Sequence, residues 1–419
     1  MPTTEGLAAR RAALTMLDAV LRRGRALDSA AAGAKGLSGP DLGLAVAIAG
    51  EVLRRIPDLD ALIDSATRKP LPEDSKARMV LRMALAQKIG LETPDHAIVA
   101  TALPLVDGGP RKLVHGVLGT LLRRGVPKID APHLPAEVEQ RWAEAWGEEA
   151  VAAARRQIAT RPPLDLTFKS QEAAEAFGTL QGAASLAPHN VRLRDGGSVT
   201  ERSGFDAGDW WVQDLAASLP ARLIPDTAQK VLDLCSAPGG KAMQLVAAGH
   251  EVSAVDQSES RLKRLKQNLD RTRLAADLIC ADALTWEPKE KYAAILLDAP
   301  CSATGTFRRH PEVLYRARPR VIRESAELQA KLLARAVQWL KPEGALVYSV
   351  CSLEPGEGEG VISDFLANNP DYRMDPPKPG ELPDFIPTSP EGWVRILPGL
   401  LESEGGLDAF FIARLVRAA

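Results

Sequence analysis

From residue 228 to the C-terminus, short apolar runs alternate with amphipathic ones, and this alternation restricts the chain's possible folds more than any other feature. "KVLDLC", "EVSAVD", "ADLICAD", "YAAILLDAP" and "ALVYSVCS" read as buried strands, and late strands lie around "WVRILP" and "AFFIARLVR". Residues 240–249, 259–270, 322–340 and 357–368 carry helical spacing between them. Apolar strands separated by helices build a mostly parallel sheet covered on both faces. A Rossmann-like α/β domain with a seven-stranded, mostly parallel sheet is therefore expected over residues 226–419. Ligands of such sheets lie beyond the carboxyl ends of the strands.

The first 128 residues follow a different rule. Leu7, Ala8, Ala12, Leu14, Leu17, Val20 and Leu21 fit a 3.6-residue period, and similar stripes recur in 41–56, 58–66, 76–90, 95–106 and 111–123. "GLSGPD", "RKPLPED", "GLETPD" and "DGGP" supply the breaks, so an all-α domain over 1–128 is expected. Residues 129–225 mix a helical stretch with short β-like pieces, "LDLTFK", "VRLR" and "WWVQDLA", and read as a small α+β linker subdomain.

Bulk properties narrow the setting. Four cysteines in 419 residues do not make a disulfide framework, which implies reduced thiols and a cytoplasmic location. No apolar run approaches the roughly 20 residues of a membrane span, and "MPTTEGLAARRAALTMLDAV" reads as a capped amphipathic helix, not a signal peptide. Neither a metal nor a membrane is expected as a partner, and a monomer is. Residues 1–130 carry a net charge of +5 against −7 for the remainder, an asymmetry that points the N-terminal part at a polyanion.

The strand ends carry the chemistry. "LDLCSAPGGK" places Cys235, Ser236, Ala237, Pro238, Gly239, Gly240 and Lys241 between the first strand and its helix. The glycines admit a close ligand, and the helix amides can face an anion. Neither G-x-G-x-x-G nor G-x-x-x-x-G-K-[ST] is present, which disfavours NAD and ATP. Asp256 ends the second strand, where a ribose diol would sit, and Asp282 ends the third, near an adenine amine. A nucleoside with a short charged tail fits this set, and S-adenosylmethionine is the candidate.

"LLDAPCSATG" puts Asp298 and Cys301 after the fourth strand, and "VYSVCSLEPGE" puts Cys351 after the fifth, its neighbour. Cys280 reads as a buried apolar filler, and Cys235 as a structural lining of the loop. Two thiols beside a methyl donor suit cytosine. Its carbon 5 is a poor nucleophile until a thiolate adds at carbon 6, with an acid such as Asp298 at N3. One cysteine then attacks and the other assists turnover. The basic stretch after Cys301 holds Arg308, Arg309, His310, Arg316 and Arg318 as candidate RNA contacts, with Phe307 and Tyr315 available to stack on an unpaired base.

On "LDLCSAPGGK", "AVDQSESRLKRLKQN", "LLDAPCSATGTFRRHPEV", "YSVCSLEPGEGE" and "GLDAFFIARL", the chain resembles the NOL1/NOP2/Sun family of RNA cytosine-5 methyltransferases. Its helical start resembles the NusB-like RNA-binding domain of the members that act on bacterial 16S ribosomal RNA. The resemblance implies a class I methyltransferase domain that binds S-adenosylmethionine through Cys235 to Lys241, Asp256, Asp282 and Asp298. It also implies that Cys351 attacks the base and Cys301 aids product release. Val350, Gly358 and Ala242 stand where the family usually has threonine, asparagine and threonine. A transfer-RNA substrate and a non-catalytic, RNA-binding ribosome assembly factor are the alternatives.

Overall fold

The computed structural model describes residues 6–34, 36–37, 39–194 and 197–417. These form two compact units: residues 1–161 with 307–316, and residues 162–306 with 317–419.

The first unit is helical. Helices α1 (Leu7–Leu21), α2 (Leu27–Ala32), α3 (Gly39–Ser65), α4 (Lys76–Gly90), α5 (Asp95–Ala102) and α6 (Gly108–Arg124) enclose a core of small and branched side chains. Ala13, Leu17, Ile48, Val52, Leu81, Leu85 and Leu118 are among those with no exposed surface. Any cap supplied by residues 1–5 lies outside the described residues.

The expected stripes 41–56 and 58–66 are one continuous helix, α3, with Pro57 inside it. Proline has no N–H, so the carbonyl of Leu53 loses its helical donor. The Tyr315 hydroxyl takes that place, donating to the Leu53 oxygen at 2.9 Å. Tyr315→Phe leaves this buried carbonyl without a donor. A stability loss of about 1–3 kcal/mol is expected, read as a lower urea midpoint of the helical unit.

Two corrections to the expected domain boundaries follow from where the hydrogen bonds go. Helices α7 (Ala136–Trp146) and α8 (Glu148–Ala159) belong to the helical unit. Arg54 donates to the Ile158 carbonyl and Arg55 to that of Ala159, each at 3.0 Å. Strands β1 (Leu164–Phe168), β2 (Asn190–Leu193) and β3 (Trp210–Val212) form an antiparallel sheet in the order β2-β1-β3, within the second unit. Helix α9 (Gln171–Gln181) packs on it. Its buried Asp165–Arg192 pair ties it there: both nitrogen–oxygen distances are 2.6 Å, Arg192 also donates to the carbonyls of Glu404 and Gly406, and Asp165 accepts from the Leu215 amide.

The main sheet runs β4 (Lys230–Leu234), β5 (Glu251–Asp256), β6 (Asp277–Cys280), β7 (Tyr292–Asp298), β8 (Leu340–Val350), β9 (Tyr372–Met374), β10 (Val394–Ile396) and β11 (Phe410–Arg417) along the chain. Its spatial order is β10-β11-β8-β7-β4-β5-β6, with β9 on β11. The five strands from β8 to β6 are parallel, and β9, β10 and β11 are antiparallel additions. The seven expected strands are all present along this path, and among the described residues the three-residue β9, too short to show a pattern, is an eighth on β11. The chain steps outward from β4 through β5 to β6, then returns to the other side of β4 as β7. That reversal puts the switch point of the sheet at the carboxyl ends of β4 and β7, where such sheets hold ligands. Helices α10 (Leu215–Arg222), α11 (Gly240–Ala247) and α12 (Glu259–Thr272) cover one part of the sheet. Among the described residues, no helix is long and apolar enough to cross a membrane.

Candidate active site

The loop after β4 turns sharply. Cys235 has φ 60° and Gly239 φ 106°, and the helix α11 begins at Gly240. A Cβ on Gly239 would lie 2.0 Å from Leu265 Cδ1, so only glycine lets this turn pack against α12. Burial pushes the Cys235 thiol up to about 12, helped by Asp298 and Asp256 nearby, which suits a lining residue and not a nucleophile. Cys280, expected to be buried, is exposed at the edge strand β6.

Asp256 accepts from the Ser258 amide and from Arg261, both at 2.8 Å, and from the Ala237 amide at 3.3 Å. It therefore ties the loop after β4 to the start of α12, and a carboxylate with these three donors still has acceptor capacity for a hydroxyl. Asp282 is exposed and caps its own turn through the Leu284 amide.

The protein leaves polar atoms here without internal partners. Asp233 is fully buried, and neither of its carboxylate oxygens has a hydrogen-bond partner among the described residues; the same holds for Ser236 Oγ. Burial, then the charge of Asp298, pushes the Asp233 carboxyl well above the usual range. Helix α11 starts at the end of this loop with no side-chain cap, and the first amides of a helix have no acceptor within it. Orphaned acceptors and free helix amides fit a ligand carrying an ammonium, a carboxylate and hydroxyls. S-adenosylmethionine has all three.

The reacting groups cluster at the ends of β7 and β8. Cys301 Sγ and Cys351 Sγ lie 3.5 Å apart, both half-buried. Hydrogen bonding to Cys351, then burial, holds the Cys301 thiol well above the usual range. Asp298 accepts from Lys241 Nζ at 2.7 Å and from Ser349 Oγ at 2.7 Å. Lys241, expected among the cofactor contacts, is thus paired with the acid of the chemistry. Ser349 was not singled out in the sequence, because one serine inside an apolar strand carries no signal by itself.

The basic stretch after Cys301 needs correction. Arg308 is 1% exposed and so offers no phosphate contact in this conformation. Phe307 packs on Trp142 at 5.4 Å between ring centroids, and Tyr315 is spent on Leu53, so neither is placed to stack on a base. Arg309 and His310 are half-buried, and His310 lies 3.8 Å from the buried Glu312. Glu312 caps the Leu27 amide at 3.0 Å. Arg316 is exposed and donates to the Gly24 carbonyl, while Arg318 is exposed at the start of helix Pro319–Ala336. What reads as a basic strip is largely an internal packing segment of the helical unit.

The departure at Gly358 is a matter of space, and nothing in the structure explains those at Val350 and Ala242. A Cβ on Gly358 would meet Arg395 Nη2 at 2.6 Å and Phe411 Cγ at 2.7 Å. Arg395 itself pairs with Glu359 and donates to the Ser352 carbonyl at 2.6 Å. Val350 and Ala242 have no exposed surface.

An open sheet with its ligand loop after the first parallel strand, and two thiols beside it, defines a Rossmann-like methyltransferase. Residues 220–416 match the family model for 16S rRNA methyltransferase RsmB/F, and residues 7–123 match the NusB family. A Klebsiella pneumoniae (strain 342) protein named ribosomal RNA small subunit methyltransferase B is 32% identical, with 87% of this chain and 88% of that one covered. Its Vibrio cholerae serotype O1 namesake is 32% identical, with 97% and 96% covered. The crystal structure of a methyltransferase homologue from Pyrococcus horikoshii superposes with a TM-score of 0.56 at 27% identity, covering 71% of this chain and 98% of that one. The chain belongs to the RsmB/F family of S-adenosylmethionine-dependent RNA cytosine-5 methyltransferases and carries a NusB-type domain at its N-terminus.

Proposed function

We propose that this enzyme methylates carbon 5 of a cytosine in 16S ribosomal RNA, with Cys351 as the nucleophile and Cys301 as the residue that assists release. The observation that carries this reading is the pair of thiols 3.5 Å apart in the loops after β7 and β8, with Asp298, held by Lys241 and Ser349, at the end of β7. When bound, S-adenosylmethionine would supply an electrophilic methyl group, and Cys235 to Lys241, Asp256 and Asp282 would hold it.

The chain's own residues do the rest. Cys351 attacks carbon 6 as a thiolate, forming a C–S bond. The displaced electron pair is drawn toward N3, where the Lys241–Asp298 pair supplies the proton. Carbon 5, now enamine-like, takes the methyl group. A water acting as base then takes the carbon 5 proton, the double bond re-forms, the Cys351 thiolate is expelled, and N3 returns its proton to the Lys241–Asp298 pair. A Cys301 thiol held protonated is a poor competitor for carbon 6 and a good hydrogen-bond partner for the departing sulfur. The target base has to be unpaired or flipped to reach both thiols.

Exposed Arg316 and Arg318 remain the RNA contacts of this proposal. The enzyme is proposed to act as a cytoplasmic monomer without a metal. Incubation of the enzyme with 16S ribosomal RNA and S-adenosylmethionine is expected to yield 5-methylcytosine at one position by bisulfite sequencing. Modification of transfer RNA alone would overturn the substrate assignment.

A further inference from the structure

Each reactive cysteine is followed by a serine, Cys301-Ser302 and Cys351-Ser352, and both serines converge on one buried carboxylate. Glu357 has no exposed surface. Its Oε1 accepts from the Ser302 amide at 2.8 Å and from Gln329 Nε2 at 3.4 Å. Its Oε2 accepts from the Ser302 hydroxyl at 2.5 Å and also from the Ser352 hydroxyl. Gln329, on helix Pro319–Ala336, further holds the Pro300 carbonyl at 2.9 Å, and the Tyr348 hydroxyl donates to the carbonyl of Glu357 at 2.6 Å. Smaller ties run alongside: Thr304 Oγ1 to Ser352 Oγ at 3.2 Å, and the Gly305 amide to the Cys351 carbonyl at 3.0 Å.

We propose that Glu357 is a positioning residue: it clasps the Cys301 loop to the Cys351 loop and so sets the separation of the two thiols. Four donors meet on one side chain, and only an ionised carboxylate accepts from all of them. Burial pushes the Glu357 carboxyl up, and the hydrogen bonds from the two serine hydroxyls and the Ser302 amide pull against it. Satisfying the core does not require a link to the residue after each cysteine, whereas controlling the sulfur–sulfur distance does. The loops leave β7 and β8, whose own register ends at Asp298 and Ser349, so beyond that point the clasp takes over from the ladder.

This inference rests on the proposed two-thiol chemistry, and its test separates the two. Diamide oxidises a thiol pair to a disulfide, removing two electrons and two protons and being reduced to the hydrazine. The rate at which it joins Cys301 to Cys351 in the full-length enzyme reports the thiol separation without RNA. Glu357→Ala is expected to slow this step and kcat at least tenfold each, with S-adenosylmethionine affinity and the KM for RNA within threefold of wild type. Glu357→Gln keeps the volume, and hydroxyls can reverse their donor sense, so it should recover both rates to within threefold. Ser352→Ala serves if the alanine variant at 357 does not fold; it is expected to slow disulfide formation at least threefold. A folded Glu357→Ala, or Ser352→Ala, with wild-type disulfide and turnover rates would overturn the clasp. Wild-type enzyme inactive on RNA would overturn the functional reading while leaving the diamide comparison to decide this one.

Discussion

Cys351→Ala is expected to abolish methyl transfer, by at least about 10⁴-fold, and to form no covalent complex with RNA. Cys301→Ala is expected to do the opposite to the complex: it forms and persists, visible as a slower band in a denaturing gel. The asymmetry follows from the order of steps. Without the sulfur of residue 351 no bond to carbon 6 forms. Without its neighbour at 3.5 Å, the bond forms but the departing thiolate loses its hydrogen-bond partner. Both variants should bind S-adenosylmethionine as wild type does, because the loop from Cys235 to Lys241 is untouched. Equal complex formation by the two variants would reverse the roles.

The second large effect is at Asp298. Asp298→Asn keeps the shape of the side chain but removes the charge that Lys241 pairs with at 2.7 Å. The proton for N3 is then no longer supplied by a matched pair, and thiolate addition loses its driving force. A fall in kcat of about 10²–10⁴-fold is expected, the range for a general acid. Stopped-time assays of complex formation should show the same fall, since protonation at N3 accompanies attack and precedes methyl transfer. An asparagine variant that forms the complex within threefold of the wild-type rate would place the acid elsewhere.

Much of this architecture was legible in the sequence, for physical reasons. Parallel strands buried on both faces show as unbroken apolar runs, so β4, β5, β7 and β8 could be read directly, and ligand loops must follow them. Asp298, Cys301 and Cys351 stood out because each ends such a run. The pairing of Lys241 with Asp298 was hidden, since it joins residues 57 positions apart across the switch point of the sheet. Glu357 was hidden in another way: a glutamate in a Gly/Pro-rich loop looks solvent-facing until Ser302, 55 positions away, is seen to converge on it with its near neighbour Ser352. The basic stretch misled because charge says nothing about direction. Arg308 points inward, and Tyr315 answers a carbonyl that Pro57 stripped of its donor some 260 positions earlier. The missing eighth strand, β9, has three residues and no period to detect.

Covalent attack by one particular sulfur can be measured on a ribosomal RNA fragment carrying 5-fluorocytosine at the target position. Fluorine cannot leave as a proton does, so the methylated base stays bonded to the enzyme. Mass spectrometry of the digested complex is expected to find the methylated, fluorinated nucleotide on the peptide containing Cys351 and on no other thiol. Attachment at Cys301, or methylation of unmodified RNA by an enzyme that never forms a complex with the fluorinated one, would contradict the account.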